Sequence, residues 1–128
     1  MIPMMMPNAA AGEIAIRYGL HGLAMSLNSA CATGTNAIGE GTERIRRGAA
    51  EICICGGGES VMHPLTAAAL SNMGAVSCRN EDPQRASRPF DAERDGFVMS
   101  DGGAMLILEE LEFALQRGGG QRAESVAY

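Results

Sequence analysis

Ser29-Ala30-Cys31-Ala32-Thr33-Gly34-Thr35-Asn36-Ala37-Ile38-Gly39-Glu40-Gly41 is the stretch that decides how the rest of the chain is read. The apolar run Leu23 to Leu27 ahead of it predicts a short buried strand, and the small residues that follow open a helix expected over about 31–47. A thiol at such a strand-to-helix turn points at incoming substrate and faces the positive end of the helix dipole, which favours the reactive thiolate. Taken alone, a cysteine in an Ala-rich stretch is more often buried and inert. Two features turn the reading toward a nucleophile. Cys31 lies at a helix N-terminus, and the small side chains of Ala32-Thr33-Gly34 let a thioester approach both the sulfur and the backbone N–H donors that acyl transfer needs.

Working outward, the helix after the cysteine should bury Ala37, Ile38, Gly41 and Ile45. Its other face offers Glu40–Arg44 and Glu43–Arg47 as i,i+4 pairs, and Arg44, Arg46 and Arg47 complement the dipole before Gly48. On the N-terminal side, Pro7 or Asn8 opens a helix with Ala11, Ile14, Ala15 and Tyr18 at helical spacing, ended by Gly19. On the C-terminal side, Glu51-Ile52-Cys53-Ile54-Cys55 reads as a strand, and strand, helix, strand implies a parallel sheet. Pro64 to Met73 is helical in composition, and Arg79 to Arg94 is a charged loop holding Pro83 and Pro89. Gly96 to Met99 and Ala104 to Leu108 read as the arms of a hairpin turning at Asp101-Gly102-Gly103. A short helix is expected over Glu109 to Gln116, ahead of Gly118-Gly119-Gly120, and no internal repeat is found.

A chain of 128 residues has room for one domain. With 17 glycines and aromatics at 4%, its core must be built from Ala, Ile, Leu and Met around closely approaching backbones. The formal charge of −5, without a basic stripe, argues against nucleic acid or an anionic membrane as partner. The four cysteines lack the dense spacing of small secreted domains, so they read as reduced, which places the protein in the cytoplasm. Met1-Ile2-Pro3-Met4-Met5-Met6-Pro7 has no positive flank and is broken by two prolines, so it reads as neither signal peptide nor membrane span.

Other chemistry-bearing residues favour structural readings. Cys53 and Cys55 share one side of a strand with only His21 and His63 as further nitrogen ligands, so no metal site is expected. Gly56-Gly57-Gly58-Glu59 lacks the Lys-Ser/Thr of a phosphate loop and the spacing of a dinucleotide site, which leaves a tight backbone approach. His63 reads as the residue that opens a helix before Pro64 rather than as a catalytic base, and Cys78 has no evident partner. The alternating charges of Arg88-Pro89-Phe90-Asp91 and Glu93-Arg94-Asp95-Gly96-Phe97 indicate an ion-paired surface or a pinned turn rather than a catalytic acid cluster.

In their order, the cysteine turn, the Gly-Gly-x-Glu run Gly56-Gly57-Gly58-Glu59, Asp95-Gly96-Phe97, Asp101-Gly102-Gly103-Ala104 and Leu106-Ile107-Leu108-Glu109-Glu110 resemble the β-ketoacyl-acyl-carrier-protein synthases, the condensing enzymes of fatty-acid and polyketide assembly. The resemblance implies an α/β chain that is part of a thiolase-like fold, a mixed sheet with helices, with residues 1–128 as a partial N-terminal ketosynthase domain. The first half of that fold would be incomplete and the second half absent. It implies that Cys31 carries the growing acyl chain, that acyl-carrier protein and malonyl-carrier protein are the partners, and that neither organic cofactor nor metal is required. It also implies that Met62, Thr66 and Leu70 fall in the region lining the acyl pocket. The glycine turn of the family closes a strand at the two-fold axis, which suggests a homodimer through Glu51 to Cys55.

The family keeps its catalytic histidines and a lysine in the second half, and this chain contains no lysine. Two alternatives therefore stand beside the elongating enzyme: a thiolase-like, coenzyme-A-dependent condensing enzyme with the same cysteine turn, and an inactive chain with only a structural or dimerising role. The presence of Cys31 argues against the chain-length-factor relatives. Gly118 to Glu124 departs from the family pattern, in which the next strand is expected at the C-terminal end.

Overall fold

The computed structural model describes residues 2–125, and residues 3 and 4 by backbone alone. Its elements are a 3-10 turn at Ile2–Met5, α1 (Ala9–Tyr18), a 3-10 turn at Ala30–Ala32, α2 (Thr33–Arg46), β1 (Ile52–Glu59), α3 (Pro64–Asn72), a 3-10 turn at Pro83–Arg85, β2 (Gly102–Glu109) and α4 (Leu111–Gln116). They fall into two compact units, Met1–Gly57 with Ala104–Tyr128, and Gly58–Gly103.

In the first unit, α1 begins after Asn8 and ends at a left-handed Gly19, as the spacing predicts. Ala11, Ile14 and Ala15 are half-buried, whereas Tyr18 is exposed. Helix α2 starts at Thr33 rather than Cys31, because the cysteine belongs to the 3-10 turn leading into it. At the other end, Gly48 N–H donates to Ile45 O and Ala49 N–H to Arg44 O, both at 2.9 Å, so the last turn closes on itself. The two i,i+4 ion pairs do not form. Glu43 instead pairs with Arg46 at 2.7 Å, since Arg47 is already the C-cap and has left helical geometry.

The face of α2 that meets the sheet is lined by small residues. Gly39, Gly41 and Thr42 are buried, while Ala37, Ile38 and Ile45 are half-buried. A Cβ at position 41 would run into the Cys55 sulfur and crowd Leu108, so the glycine is what lets the helix backbone approach this close. The Thr42 hydroxyl donates to Ile38 O at 2.9 Å and lies 3.3 Å from Ser125 Oγ, which satisfies a polar group that is only 7% exposed.

Strand β1 runs on through Gly56-Gly57-Gly58 to Glu59, so the glycines expected to form a turn are strand residues. The close backbone approach expected of them is present. A side chain at Gly56 would overlap the Ala104 carbonyl and Met105 on the neighbouring strand, and one at Gly57 would stand 3.6 Å from Gly34 Cα. Among the described residues β1 pairs with β2 alone. Glu110 N–H donates to Glu51 O at 2.9 Å, whereas Gly56 faces Ala104 and Met105, and opposite progression along the two strands makes the pair antiparallel.

The parallel sheet inferred from strand, helix, strand is therefore corrected to a two-stranded antiparallel one. Leu23 to Leu27 forms no strand, because no described segment offers it a hydrogen-bonded ladder. Leu23 and Met25 are 63% and 45% exposed instead of buried, and the segment is tied by Asn8 Nδ2 donating to Ala24 O at 3.3 Å. Helix α4 starts at Leu111 rather than Glu109. Glu109 belongs to β2 and pairs with Arg117, while the Glu110 carboxylate caps the helix by accepting from Phe113 N–H at 2.7 Å.

In the second unit, His63 Nδ1 accepts from Leu65 N–H at 3.2 Å and Pro64 occupies the first turn, so α3 is opened by this histidine. The expected hairpin is absent. Phe97 N–H donates to Ala75 O at 3.0 Å and Ser77 N–H to Phe97 O at 2.9 Å, an isolated parallel bridge between Val76 and Phe97. Asp101 does not close a tight turn either, because its carboxylate accepts from Val61 N–H at 2.6 Å and Met62 N–H at 3.2 Å, and Gly102 already begins β2. Distant backbone partners here displace the local hairpin.

The described core is small: Cys55 and Ala86 are the buried hydrophobic residues, while Ile16, Leu23, Leu106, Ile107 and Phe90 are all largely exposed. Among the described residues no helix is long and apolar enough to cross a membrane. Residues 121–125 carry no strand, and 126–128, where the next strand was expected to continue, lie outside the described residues.

Candidate active site at the Cys31 turn

Cys31 is an exposed, free thiol in the 3-10 turn immediately before α2. The residue before it, Ala30, has φ +51°, a left-handed conformation that costs a non-glycine residue about 1–2 kcal/mol. Such strain persists only where neighbouring bonds enforce it. Here Thr33 Oγ1 accepts from Ser29 N–H at 2.9 Å and donates to Ala30 O at 2.8 Å, Ala32 N–H donates to Ser29 O at 3.2 Å, and the Ser29 hydroxyl bonds the Asn36 side chain. The reversal leaves Cys31 exposed at the start of α2.

Two further features suit this turn to acyl transfer. The N-cap residue of α2, Ala32, supplies no side-chain cap, and the first turn of a helix carries N–H groups without intrahelical acceptors. A Cβ at Gly34 would meet nothing within 4 Å, so α2 is open on that side of its first turn. A thiol next to open space and helix N–H donors has the parts needed to attack a thioester carbonyl and to stabilise the oxyanion that forms.

The other cysteines differ in surroundings. Cys55 is 8% exposed, and burial, followed by the neighbouring Cys53 thiol, pushes its pKa up and holds it protonated. Cys53 is half-buried on the same face of β1, in keeping with a packing role for the pair. Cys78 is exposed, with its backbone N–H held by Asp95 Oδ2 at 3.0 Å. Among the described residues no group of three or more His, Cys, Asp or Glu side chains is placed to hold a metal ion.

Met62, Thr66 and Leu70 belong to the second unit, and Cys31 to the first. Met62 is 63% exposed and lines an open hollow of about 290 Å³ together with Ala67, Ser71, Val76, Phe97 and Val98. Thr66 and Leu70 are half-buried on α3, one helical row away from Ala67 and Ser71, and are not among its lining residues. The charged segment is pinned and ion-paired, as its alternating signs imply. Arg79 lies 3.5 Å from Asp95, Arg88 lies 3.9 Å from both Asp91 and Glu93, and Asp91 Oδ1 accepts from Glu93 N–H at 2.8 Å.

Sequence reasoning missed three structural anchors. Hydrogen bonds to Ser77 Oγ and Cys78 N–H, with Arg79 nearby, hold the Asp95 carboxyl below its ordinary pKa. Asp101 ties two backbone N–H groups of the segment before α3. The left-handed Ala30 and its Thr33 bond carried one weak signal, the clustering of Ser29, Thr33 and Asn36, residue types whose side chains bond local backbone.

Residues 1–114 match the family described as beta-ketoacyl synthase, N-terminal domain. A 3-oxoacyl-[acyl-carrier-protein] synthase 2 of Synechocystis sp. is 49% identical over 128 residues, covering 100% of this chain and 31% of the relative. A putative polyketide beta-ketoacyl synthase 1 of Streptomyces cyaneus is 44% identical over 112 residues, covering 88% of this chain and 26% of the relative. The fold matches that of a ketosynthase solved in complex with a type II polyketide acyl-carrier protein and bound to the hexaketide, with TM-score 0.83 and 39% identity over 88% of this chain and 28% of that one. A beta-ketoacyl synthase from Burkholderia phymatum gives TM-score 0.82 and 38% identity, covering 90% of this chain and 28% of that one.

The chain belongs to the beta-ketoacyl synthase family, and its fold is part of the thiolase-like ketosynthase fold. It spans less than a third of the length of these relatives.

Proposed function

We propose that Cys31 is the acyl-accepting nucleophile of a β-ketoacyl-acyl-carrier-protein synthase acting in fatty-acid or polyketide synthesis. The observation that carries this reading is the exposed thiol on a strained turn at the start of α2, in a chain of this family. The Cys31 thiolate attacks the thioester carbonyl of an acyl-carrier protein, a new thioester forms on the protein, and the carrier's thiol leaves with a proton. Malonyl-carrier protein then loses carbon dioxide, its carbanion attacks the Cys31 thioester, and the β-ketoacyl product departs two carbons longer as Cys31 is released. The carrier-protein partner is supported by the solved ketosynthase relative held in complex with one.

With no lysine and only His21 and His63 as imidazoles, the 128-residue chain supports the acylation half of this sequence alone. His63 Nδ1 is engaged as a helix cap, which favours its reading as the residue that opens α3 over that of a catalytic base. Met62, Thr66 and Leu70 are proposed to contact the acyl chain, and a cytoplasmic location is proposed from the sparse spacing of the four cysteines. A homodimer through residues 51–55 is supported by the edge of β1 that no strand among the described residues pairs.

Incubation with acyl-carrier protein and, separately, with acyl-CoA, read by intact mass, tests the assignment. Acylation from carrier protein is expected. Acylation from CoA alone favours the thiolase-like reading, and rapid carbon dioxide release from malonyl-carrier protein by the 128-residue chain overturns the limit to acylation.

A further inference from the structure

One hydroxyl spans the peptide groups on the N-terminal side of the cysteine. Thr33 Oγ1 accepts from Ser29 N–H and donates to Ala30 O, and Thr33 N–H also reaches Ala30 O. The residue bracketed by these bonds, Ala30, is left-handed, where an L side chain stays only if held. Ser29 and the α2 residue Asn36 add a second tie through their side chains. We propose that Thr33 is a positioning residue for Cys31: its hydroxyl latches Ala30 in the left-handed conformation and so turns the Cys31 sulfur outward at the start of α2. Without the latch, the exposed Ser29 and Ala30 peptide groups exchange to water, Ala30 relaxes to negative φ, and the sulfur loses its presented orientation.

The catalytic meaning of the latch rests on the reading of Cys31 as nucleophile, but its geometry is testable without acyl chemistry. The measurement is the rate of iodoacetamide alkylation at Cys31, mapped by peptide mass, with exposed Cys78 as internal reference. Thr33→Val keeps the shape and removes the hydroxyl, and it should slow Cys31 about tenfold while leaving Cys78 unchanged. Thr33→Ser keeps the latch and should react like the unmodified chain. Ala30→Gly added to Thr33→Val should restore most of the rate, because glycine occupies positive φ without being held.

An unchanged rate in Thr33→Val, or no recovery on adding Ala30→Gly, overturns the proposal. Should Thr33→Val lose its circular dichroism, amide exchange in the unsubstituted chain decides. Strong protection of Ser29 N–H supports the latch, and exchange at the rate of a free peptide refutes it. A Cys31 that alkylates in a Thr33-dependent way yet takes no acyl group from acyl-carrier protein leaves the latch standing and removes the proposed function.

Discussion

Gly41 on α2 lies so close to Cys55 on β1 that a methyl group at position 41 would overlap the cysteine sulfur. This contact fixes the spacing between the helix that begins at the Cys31 turn and the sheet beneath it. Gly41→Ala is expected to destabilise the chain by about 1–3 kcal/mol through overpacking. Adding Cys55→Ala, which removes the colliding sulfur, should recover part of that loss. Urea unfolding of the two single variants and the double variant checks the coupling, and simple additivity of their effects would speak against the contact.

The Asp95 carboxylate should make stability fall at acid pH. Its folded-state pKa is lowered, chiefly by the Ser77 hydroxyl and then by Cys78 N–H. A lowered acid contributes stability that is complete above the unfolded aspartate value of about 3.9 and is lost as pH drops through the folded value below it. Asp95→Asn should therefore flatten the acid limb of a stability-versus-pH curve. An identical limb in the variant would show that other carboxylates set it.

Thiol reactivity should rank by exposure and setting. Iodoacetamide is expected to reach Cys31 first, Cys78 next, and Cys55 last, because Cys55 is buried and its pKa is raised. Labelling of Cys55 as fast as Cys31 in the folded chain would contradict the described packing.

The 128-residue chain should self-associate. Ile16, Leu23 and Ile107 are 80%, 63% and 66% exposed, and among the described residues each strand of the two-stranded sheet leaves one edge open. Gel filtration should show species larger than 13.3 kDa, shrinking when Ile107→Lys charges β2. Elution of the unsubstituted chain as a 13.3 kDa monomer would be the opposite result.

What could be read from residues alone was whatever depended on local signals. Gly19 ending α1, Gly48 following α2, and Pro64 opening α3 are stereochemical punctuation, and each is where the spacing puts it. The misread strand and hairpin involve distant partners. Leu23 to Leu27 has a strand's composition but no ladder, Phe97 bonds the backbone at Ala75 and Ser77 instead of a hairpin arm, and Asp101 reaches back to Val61. At the candidate site, the small neighbours of Cys31 and the motif order singled it out and the structure leaves it exposed before α2, whereas the left-handed Ala30 was not legible. An alanine carries no preference for positive φ, and the Thr33 bond that holds it there has no period along the chain.

The central claim is that Cys31 accepts the acyl group, and peptide-mapped mass spectrometry after incubation with acyl-carrier protein thioester tests it most directly. The account predicts one acyl group per chain, on the peptide containing Cys31, and none on Cys31→Ala. Acylation that persists in Cys31→Ala, or that maps to Cys53, Cys55 or Cys78, would contradict it.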